Sequence, residues 1–293
     1  SWSMSSARDK ALEFLKTGDL FRLGSLVTES PNPHTHDLAE LCQTNLVKAC
    51  DVFKNVELDA MESLMGLDAL ADEVVDSFDR CLTSGGRIFL SGCGATGRLS
   101  LVLESIWRQA PRAGCDECVI AFTAGGDYAL VRSLGIFEDR PDLGARHLLD
   151  LGFRQGDMLV AITEGGETPF VLGTLDQAVK TSTLDSWLFF CNPPDLLKKK
   201  IERSRLALEN PAVRWHSFNT GPMALTGSTR LQASTVLMAF VGACLRETAS
   251  GQKNRWLLTE LIDRTSQMNA EAFARMIEIE SEAHMRGEFT LHR

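Results

Sequence analysis

The segment with the clearest capacity for chemistry is Gly92-Cys93-Gly94-Ala95-Thr96-Gly97-Arg98. An apolar run, Ile88 to Leu90, leads into it, and a run with helical spacing, Leu99, Leu101, Val102, Leu103 and Ile106, leads out. A glycine turn between a buried strand and a helix points unpaired backbone N–H groups, and the positive end of the helix dipole, at whatever lies beyond the turn. A phosphate suits that position, with the Thr96 hydroxyl as an added donor. A turn that only lets strand and helix pack closely would use the same glycines, and the segment fits neither GxGxxG nor GxxxxGK[ST].

Three more polar, glycine-containing stretches each follow an apolar run: 123–128 (TAGGDY), 163–169 (TEGGETP) and 219–230 (NTGPMALTGSTR). The last enters the apolar run LQASTVLMAFVGACL, with Thr226, Ser228 and Thr229 clustered before it. Any one hydroxyl there reads equally as a helix cap. Four such stretches on one sheet edge point to a ligand.

The elements that must hold these loops are five short apolar runs, 87–92, 117–122, 158–163, 186–191 and 213–217, separated by helix-length segments. Being apolar almost throughout, they predict a parallel sheet covered on both faces. The fold class is therefore a three-layer α/β sandwich, a five-stranded parallel sheet flanked by helices, whose ligands sit beyond the carboxyl ends of the strands. Helical spacing over 5–16, 37–54 and 59–83 predicts an N-terminal helical layer, and 256–284 a helical C-terminal part. The expected division is an N-terminal helical segment at 1–58, the α/β domain at 59–250 and a helical extension at 251–293. HMRGEFTL at 284–291 echoes TSGGRIFL at 83–90, which predicts the start of a second copy of the α/β lobe; a short closing strand or a tail is the plainer alternative.

With 293 residues, 44% hydrophobic and 24% charged, the chain can bury a large core. A net charge of -9 argues against nucleic acid and anionic membrane surfaces as partners. No apolar run approaches a membrane span and no secretory leader opens the chain; Ser1 to Ser3, ahead of Met4, read as residues added before a natural start. Eight cysteines at irregular spacing predict reduced thiols and a cytoplasmic setting. Cys115 and Cys118 form a lone CxxC without the histidines or second pair of a zinc site. His34 and His36 fall in SPNPHTHD, a loop ending in a helix cap, so no metal or cofactor is expected.

GCGATGRL, AGGDYALVRS followed by Glu138-Asp139, GETPFVLG, FCNPPD and GPMALTGSTRL together resemble the SIS (sugar isomerase) domain family. The matching branch holds the bacterial N-acetylmuramic acid 6-phosphate etherases and the animal glucokinase regulatory proteins. The similarity runs over roughly residues 30–250, with NPHTHDL resembling the branch's entry segment. It implies a sugar-phosphate site made by Gly94, Ala95, Thr96, Gly97 and Arg98, by Thr163, Glu164, Gly165, Gly166, Glu167 and Thr168, and by Thr226, Ser228, Thr229 and Arg230. It also implies Glu138 as the base that removes the proton beside the carbonyl-bearing carbon, so that a lactyl ether is eliminated. A glutamate there that only caps or pairs at a helix start is the plain alternative.

Departures from the etherase pattern bear on activity. The etherases' acid glutamate on the first long helix corresponds to Ile106, and Glu104, about 200° away around a helix, is expected to face elsewhere. Their GPE glutamate is Met223, their lysine after TGSTRL is Gln232, and the serine of their second phosphate loop is Gly165. Glu164 and Glu167 stand in a loop expected to meet an anion, with Arg98 and Arg230 to offset them. The missing acid ranks a regulatory, sugar-phosphate-binding lobe resembling glucokinase regulatory protein first, with the carbon–oxygen lyase using Glu138 as its alternative and an aldose–ketose isomerase third. A homodimer, or pairing with a second SIS lobe, is expected; a protein partner has no visible surface in the sequence.

Overall fold

The computed structural model describes residues 7–18, 23–132 and 135–290. Ser1 to Ser3, the first two residues of the helix expected at 5–16, Ser133 of AGGDYALVRS and Leu291 of the C-terminal echo lie outside them.

The N-terminal layer contains α1 (Ala7–Thr17), α2 (Leu38–Thr44), α3 (Leu46–Glu62) and α4 (Asp68–Thr83). Two expected helices are each broken in two. Asn45 interrupts the 37–54 run by capping α3, its side chain accepting from the Lys48 N–H. The 59–83 run breaks at Gly66, whose φ of 83° belongs to the left-handed region, so α3 and α4 meet at an angle instead of running on.

The sheet follows in the expected alternation: β1 (Ile88–Gly92), α5 (Ala95–Gln109), β2 (Val119–Thr123), a one-turn α6 (Tyr128–Val131), α7 (Pro141–Asp150), β3 (Met158–Ile162), α8 (Pro169–Thr181), β4 (Ser186–Phe190), α9 (Pro194–Lys200), α10 (Glu202–Leu208) and β5 (Val213–Ser217). All pairings are parallel, in the order β2-β1-β3-β4-β5. β2 begins two residues later than expected because Cys115 and Cys118 are joined in a disulfide and the Cys118 N–H turns back to the Cys115 carbonyl. That bond corrects the expectation that every thiol is free; the other six cysteines are free.

Side chains alternate across the sheet and so make two cores. Ile88, Leu90, Val160, Ile162, Trp187 and Phe189 pack with α4, α5 and α11 (Gln232–Ser250). Phe89, Leu159, Ala161, Leu188 and Phe190 pack with α8 and its neighbours on the opposite face. The result is the three-layer α/β sandwich. The direction in which successive strands are added to the sheet reverses between β1 and β3, whose following helices lie on opposite faces, which opens a crevice at the carboxyl edge.

The C-terminal part comprises α12 (Trp256–Ser266) and α13 (Ala270–Met285), separated where Asn269 accepts from the Glu271 and Ala272 N–H groups. Among the described residues no strand follows Gly287. No helix among the described residues is long and apolar enough to cross a membrane.

Candidate functional site

A cavity of about 600 Å³ opens beyond the carboxyl ends of β1 and β2, between the N-terminal turns of α5 and α11. Its polar lining includes Cys93, Gly94, Arg98, Thr123, Glu138, Arg230, Ser234 and Thr235; Leu99, Val102, Leu130 and Met238 form an apolar side. The loops after β1, β2 and β5 contribute because parallel strands deliver their ends to one edge.

The glycine turn serves both readings of its sequence. Gly94 has φ 57° and heads α5, leaving the Ala95, Thr96 and Gly97 amides without acceptors earlier in the helix. Gly97 is a close-packing residue: a Cβ there would lie 1.9 Å from Thr123 Oγ1. Thr96 differs from expectation. Its buried hydroxyl donates to the Cys93 carbonyl at 2.9 Å and accepts from the Cys93 N–H at 3.1 Å, so it closes its own turn instead of facing the cavity. Thr96→Val is accordingly expected to cost about 1 kcal/mol in folding stability, read from the urea midpoint, through the orphaned Cys93 N–H.

Of the other expected ligand-binding residues, Gly94, Ala95, Arg98 and Arg230 share the cavity with Glu138, whereas the loop after β3 is largely bound to itself and its neighbours. The Thr163 and Thr168 hydroxyls pair at 2.8 Å. The Gly165 carbonyl accepts from Asn192 Nδ2 at 3.0 Å, and the Gly166 carbonyl from Ser204 Oγ at 2.8 Å. Glu167 forms an ion pair with Arg203, whose Nε also donates to the Glu167 carbonyl. Glu164 is 8% exposed, and its Oε1 accepts from Ser234 Oγ at 3.0 Å. The two carboxylates expected to face an anion unpaired are therefore both engaged. Thr226 is exposed, and Ser228 and Thr229 are half-buried in the turn before α11.

Electrostatics separate the carboxyls. Glu138 is exposed overall, and the partial desolvation it has at the cavity raises its pKa above the usual value, with the charges of Asp139 and Glu167 adding to it. Burial also raises that of Glu164, reinforced by Glu138 and opposed by the Ser234 hydrogen bond and Arg230. The half-buried Cys93 thiol, desolvated near the same acids, is pushed up to about 12 and stays neutral near pH 7, which removes it as a nucleophile. Glu104 turns away, as expected, accepting from the Ala121 N–H at 2.8 Å and pairing with Arg108. Ile106 lies one turn beyond Val102 on α5 and is not among the lining residues. Met223 is fully buried, and so is Gln232, which bridges Glu57 and the Ala224 N–H.

Ser234, Thr235, Arg203 and Asn192 escape sequence reasoning as site residues. Ser234 and Thr235 are polar positions in the first turn of an otherwise apolar helix, which is the signal that they face a cavity. Asn192 lies in FCNPPD and fastens the N-terminal arm, its side chain bonding the Thr28 amide and hydroxyl. Among the described residues no group of three or more His, Cys, Asp or Glu is placed to hold a metal; His36 Nδ1 lies 3.0 Å from the Pro33 carbonyl.

The pattern of the glucokinase regulatory protein N-terminal SIS domain matches residues 70–179. The N-acetylmuramic acid 6-phosphate etherase of Synechococcus sp. (strain CC9902) is 36% identical over 214 residues, covering 72% of this chain and 62% of the relative. The etherase of Salmonella typhi is 33% identical over 214 residues, covering 73% and 66%. The chain thus spans just under two thirds of the length of these relatives. Among solved structures, a phosphoheptose isomerase from Francisella tularensis aligns with TM-score 0.49 and 16% identity over 71% of this chain and 99% of that one. A tagatose-6-phosphate ketose/aldose isomerase from Escherichia coli aligns with TM-score 0.48 and 13% identity over 82% and 57%. With its glycine turn, its GPMALTGSTRL segment and the etherase relatives, the chain belongs to the SIS (sugar isomerase) domain family, in the branch of the N-acetylmuramic acid 6-phosphate etherases and the glucokinase regulatory proteins.

Proposed function

We propose that the chain binds a sugar phosphate in this cavity and acts as an etherase-like carbon–oxygen lyase, with Glu138 as the base. The observation that carries this is the position of Glu138. Among the described residues it is the one carboxyl on the cavity wall, it faces a space that also receives Arg98 and Arg230, and although the residue is exposed overall, partial desolvation and the charges of Asp139 and Glu167 raise its pKa above the ordinary carboxylate value, the direction that suits a base. The phosphate is assigned to the free amides at the start of α5 and to the two arginines, with Ser228 and Thr229 on the neighbouring turn. Elimination then needs Glu138 to take the proton on the carbon beside the carbonyl while the lactyl C–O bond breaks.

The regulatory, non-catalytic reading stands second, favoured by the glucokinase regulatory protein pattern over 70–179 and by Ile106 in place of an acid. The etherase relatives, similar over more of the chain, favour the lyase. A cytoplasmic setting fits the six free cysteines. A homodimer fits the exposed Met276, Ile277 and Ile279 of α13.

The test is calorimetric titration with N-acetylmuramic acid 6-phosphate and N-acetylglucosamine 6-phosphate at two salt concentrations, with an enzymatic assay for lactate. Binding that weakens with salt, together with lactate release, is the expected result. Binding without lactate at high enzyme concentration leaves the regulatory reading, and no binding removes the sugar phosphate.

A further inference from the structure

A lyase with isoleucine where its relatives carry the acid needs another proton source, and the described residues of the cavity wall offer no second carboxyl. Ser234 is on that wall, in the first turn of α11, and its Oγ lies 3.0 Å from Oε1 of Glu164. We propose that Glu164, acting through the Ser234 hydroxyl, supplies the proton taken by the departing ether oxygen, in place of the acid missing at Ile106. This inference rests on the lyase reading above.

The geometry suits a relay. Glu164 lies two residues beyond the end of β3, and its own carbonyl accepts from the Cys191 N–H at 2.9 Å, so its backbone is fixed at the sheet edge. With Glu164 ionised, Ser234 donates to it and lies 3.3 Å from the Thr229 carbonyl. With Glu164 protonated, the carboxyl O–H donates to Ser234 Oγ, and the serine hydrogen is freed to go to the Thr229 carbonyl or to an acceptor in the cavity. Burial favours that protonated form. The titratable groups around Glu164 are Glu138 and Arg230 at the cavity and the thiols of Cys93 and Cys191. Desolvation holds both thiols neutral, which leaves Glu138 and Glu164, each with its pKa raised, as the two carboxyls that can pass a proton here.

The step balances. Glu138 takes the proton from the carbon beside the carbonyl, and the C–H electron pair becomes the double bond to the neighbouring carbon. The C–O bond to the lactyl group breaks with its electrons on oxygen. That oxygen takes the hydrogen of Ser234 Oγ, which is refilled from Glu164. Lactate and an unsaturated sugar phosphate result, with Glu138 protonated and Glu164 ionised, and exchange with water restores both. The two carboxyls are pushed to opposite uses by position: one is on the wall, and the other sits behind a hydroxyl.

The test is the pH dependence of lactate release from N-acetylmuramic acid 6-phosphate by wild type, Glu164→Gln, Glu164→Asp and Ser234→Ala, with N-acetylglucosamine 6-phosphate as the binding control. Glu164→Gln is expected to lower kcat roughly 100-fold and to abolish the fall in rate at alkaline pH. Glu164→Asp should recover part of the rate and restore the alkaline fall. Ser234→Ala, a small change at the cavity wall, should reproduce the loss of the alkaline fall, and all variants should bind the control sugar as wild type does. Glu164→Gln or Ser234→Ala turning over within about twofold of wild type, alkaline fall intact, overturns the relay while the lyase stands. Wild type that binds both sugars yet frees no lactate overturns the lyase, and the relay with it.

Discussion

Glu138→Gln is expected to reduce lactate release from N-acetylmuramic acid 6-phosphate by about 10³-fold, with affinity for N-acetylglucosamine 6-phosphate held or slightly tightened. Glutamine fills the same space but has no basic oxygen to receive a carbon-bound proton. It also withdraws a negative charge from a cavity that receives an anion, so binding has no reason to weaken. The pH profile carries the sign of the mechanism. A base works ionised, so the wild-type rate is present above the Glu138 pKa and falls as pH drops through it. Because partial desolvation and the charges of Asp139 and Glu167 raise that pKa above 4.5, the acid limb of kcat/KM is expected above the ordinary carboxylate range. Loss of the Glu167 charge in Glu167→Gln should move the limb toward lower pH. Stopped or coupled assays of lactate across pH read both effects, and a Glu138→Gln protein with wild-type turnover removes Glu138 from the chemistry.

Asp157→Ala is expected to lower folding stability by about 3 kcal/mol, the largest stability effect we anticipate from a single side chain outside the cores. Asp157 is 1% exposed at the amino end of β3. Its carboxylate accepts from the Arg87 N–H at 3.0 Å, from Arg87 Nη2 at 2.7 Å and from the Arg154 N–H at 2.9 Å. Arg87 is partly exposed, so water screens the charge attraction; the larger share of the cost is two backbone donors left without an acceptor. In a chain of this size the loss corresponds to a fall in Tm of roughly 6–12 °C, measurable by calorimetry. Asp157→Asn, which keeps one acceptor oxygen, should recover part of it. Sugar-phosphate affinity at low temperature should not change, because Asp157 lies at the end of the strand opposite the cavity, and a loss of affinity with folding intact would contradict that separation.

The strands are legible in the sequence because each is buried on both faces and so nearly continuous in apolar residues, as in IFLSG, MLVAI and SWLFF. The loops that gather at the carboxyl edge follow from parallel order, whereas Gly94, Ala95, Arg98 and Arg230, which line the cavity there, are singled out by the resemblance to the SIS family. Helix boundaries are harder, since Asn45, Gly66 and Asn269 each stop a helix inside a periodic run without disturbing the period. Side-chain direction is least legible. The loop TEGGETP reads as an anion-facing surface, but Glu167 turns to Arg203 on α10 and Glu164 to Ser234 on α11, partners 36 and 70 residues away. Such pairings depend on how helices dock over the sheet, and no local pattern records it. The same holds for Thr96, whose type suggests a ligand donor and whose hydrogen bonds are made within one turn.

The arm between Leu26 and Thr35 is tied to the far end of the sheet. Thr28 joins Asn192, Asn32 donates to the Pro222 carbonyl, and Thr35 to the Ala224 carbonyl, contacts separated by 164, 190 and 189 residues. On a ribosome, where the amino end emerges first, this arm has no partner until nearly the whole sheet has been made. At ordinary elongation speeds that wait is roughly 10 to 40 s. The arm is therefore fastened after the cores of β1 and β3 have had time to form, and a newly made chain passes through a stage with a packed sheet and an unlatched amino-terminal arm.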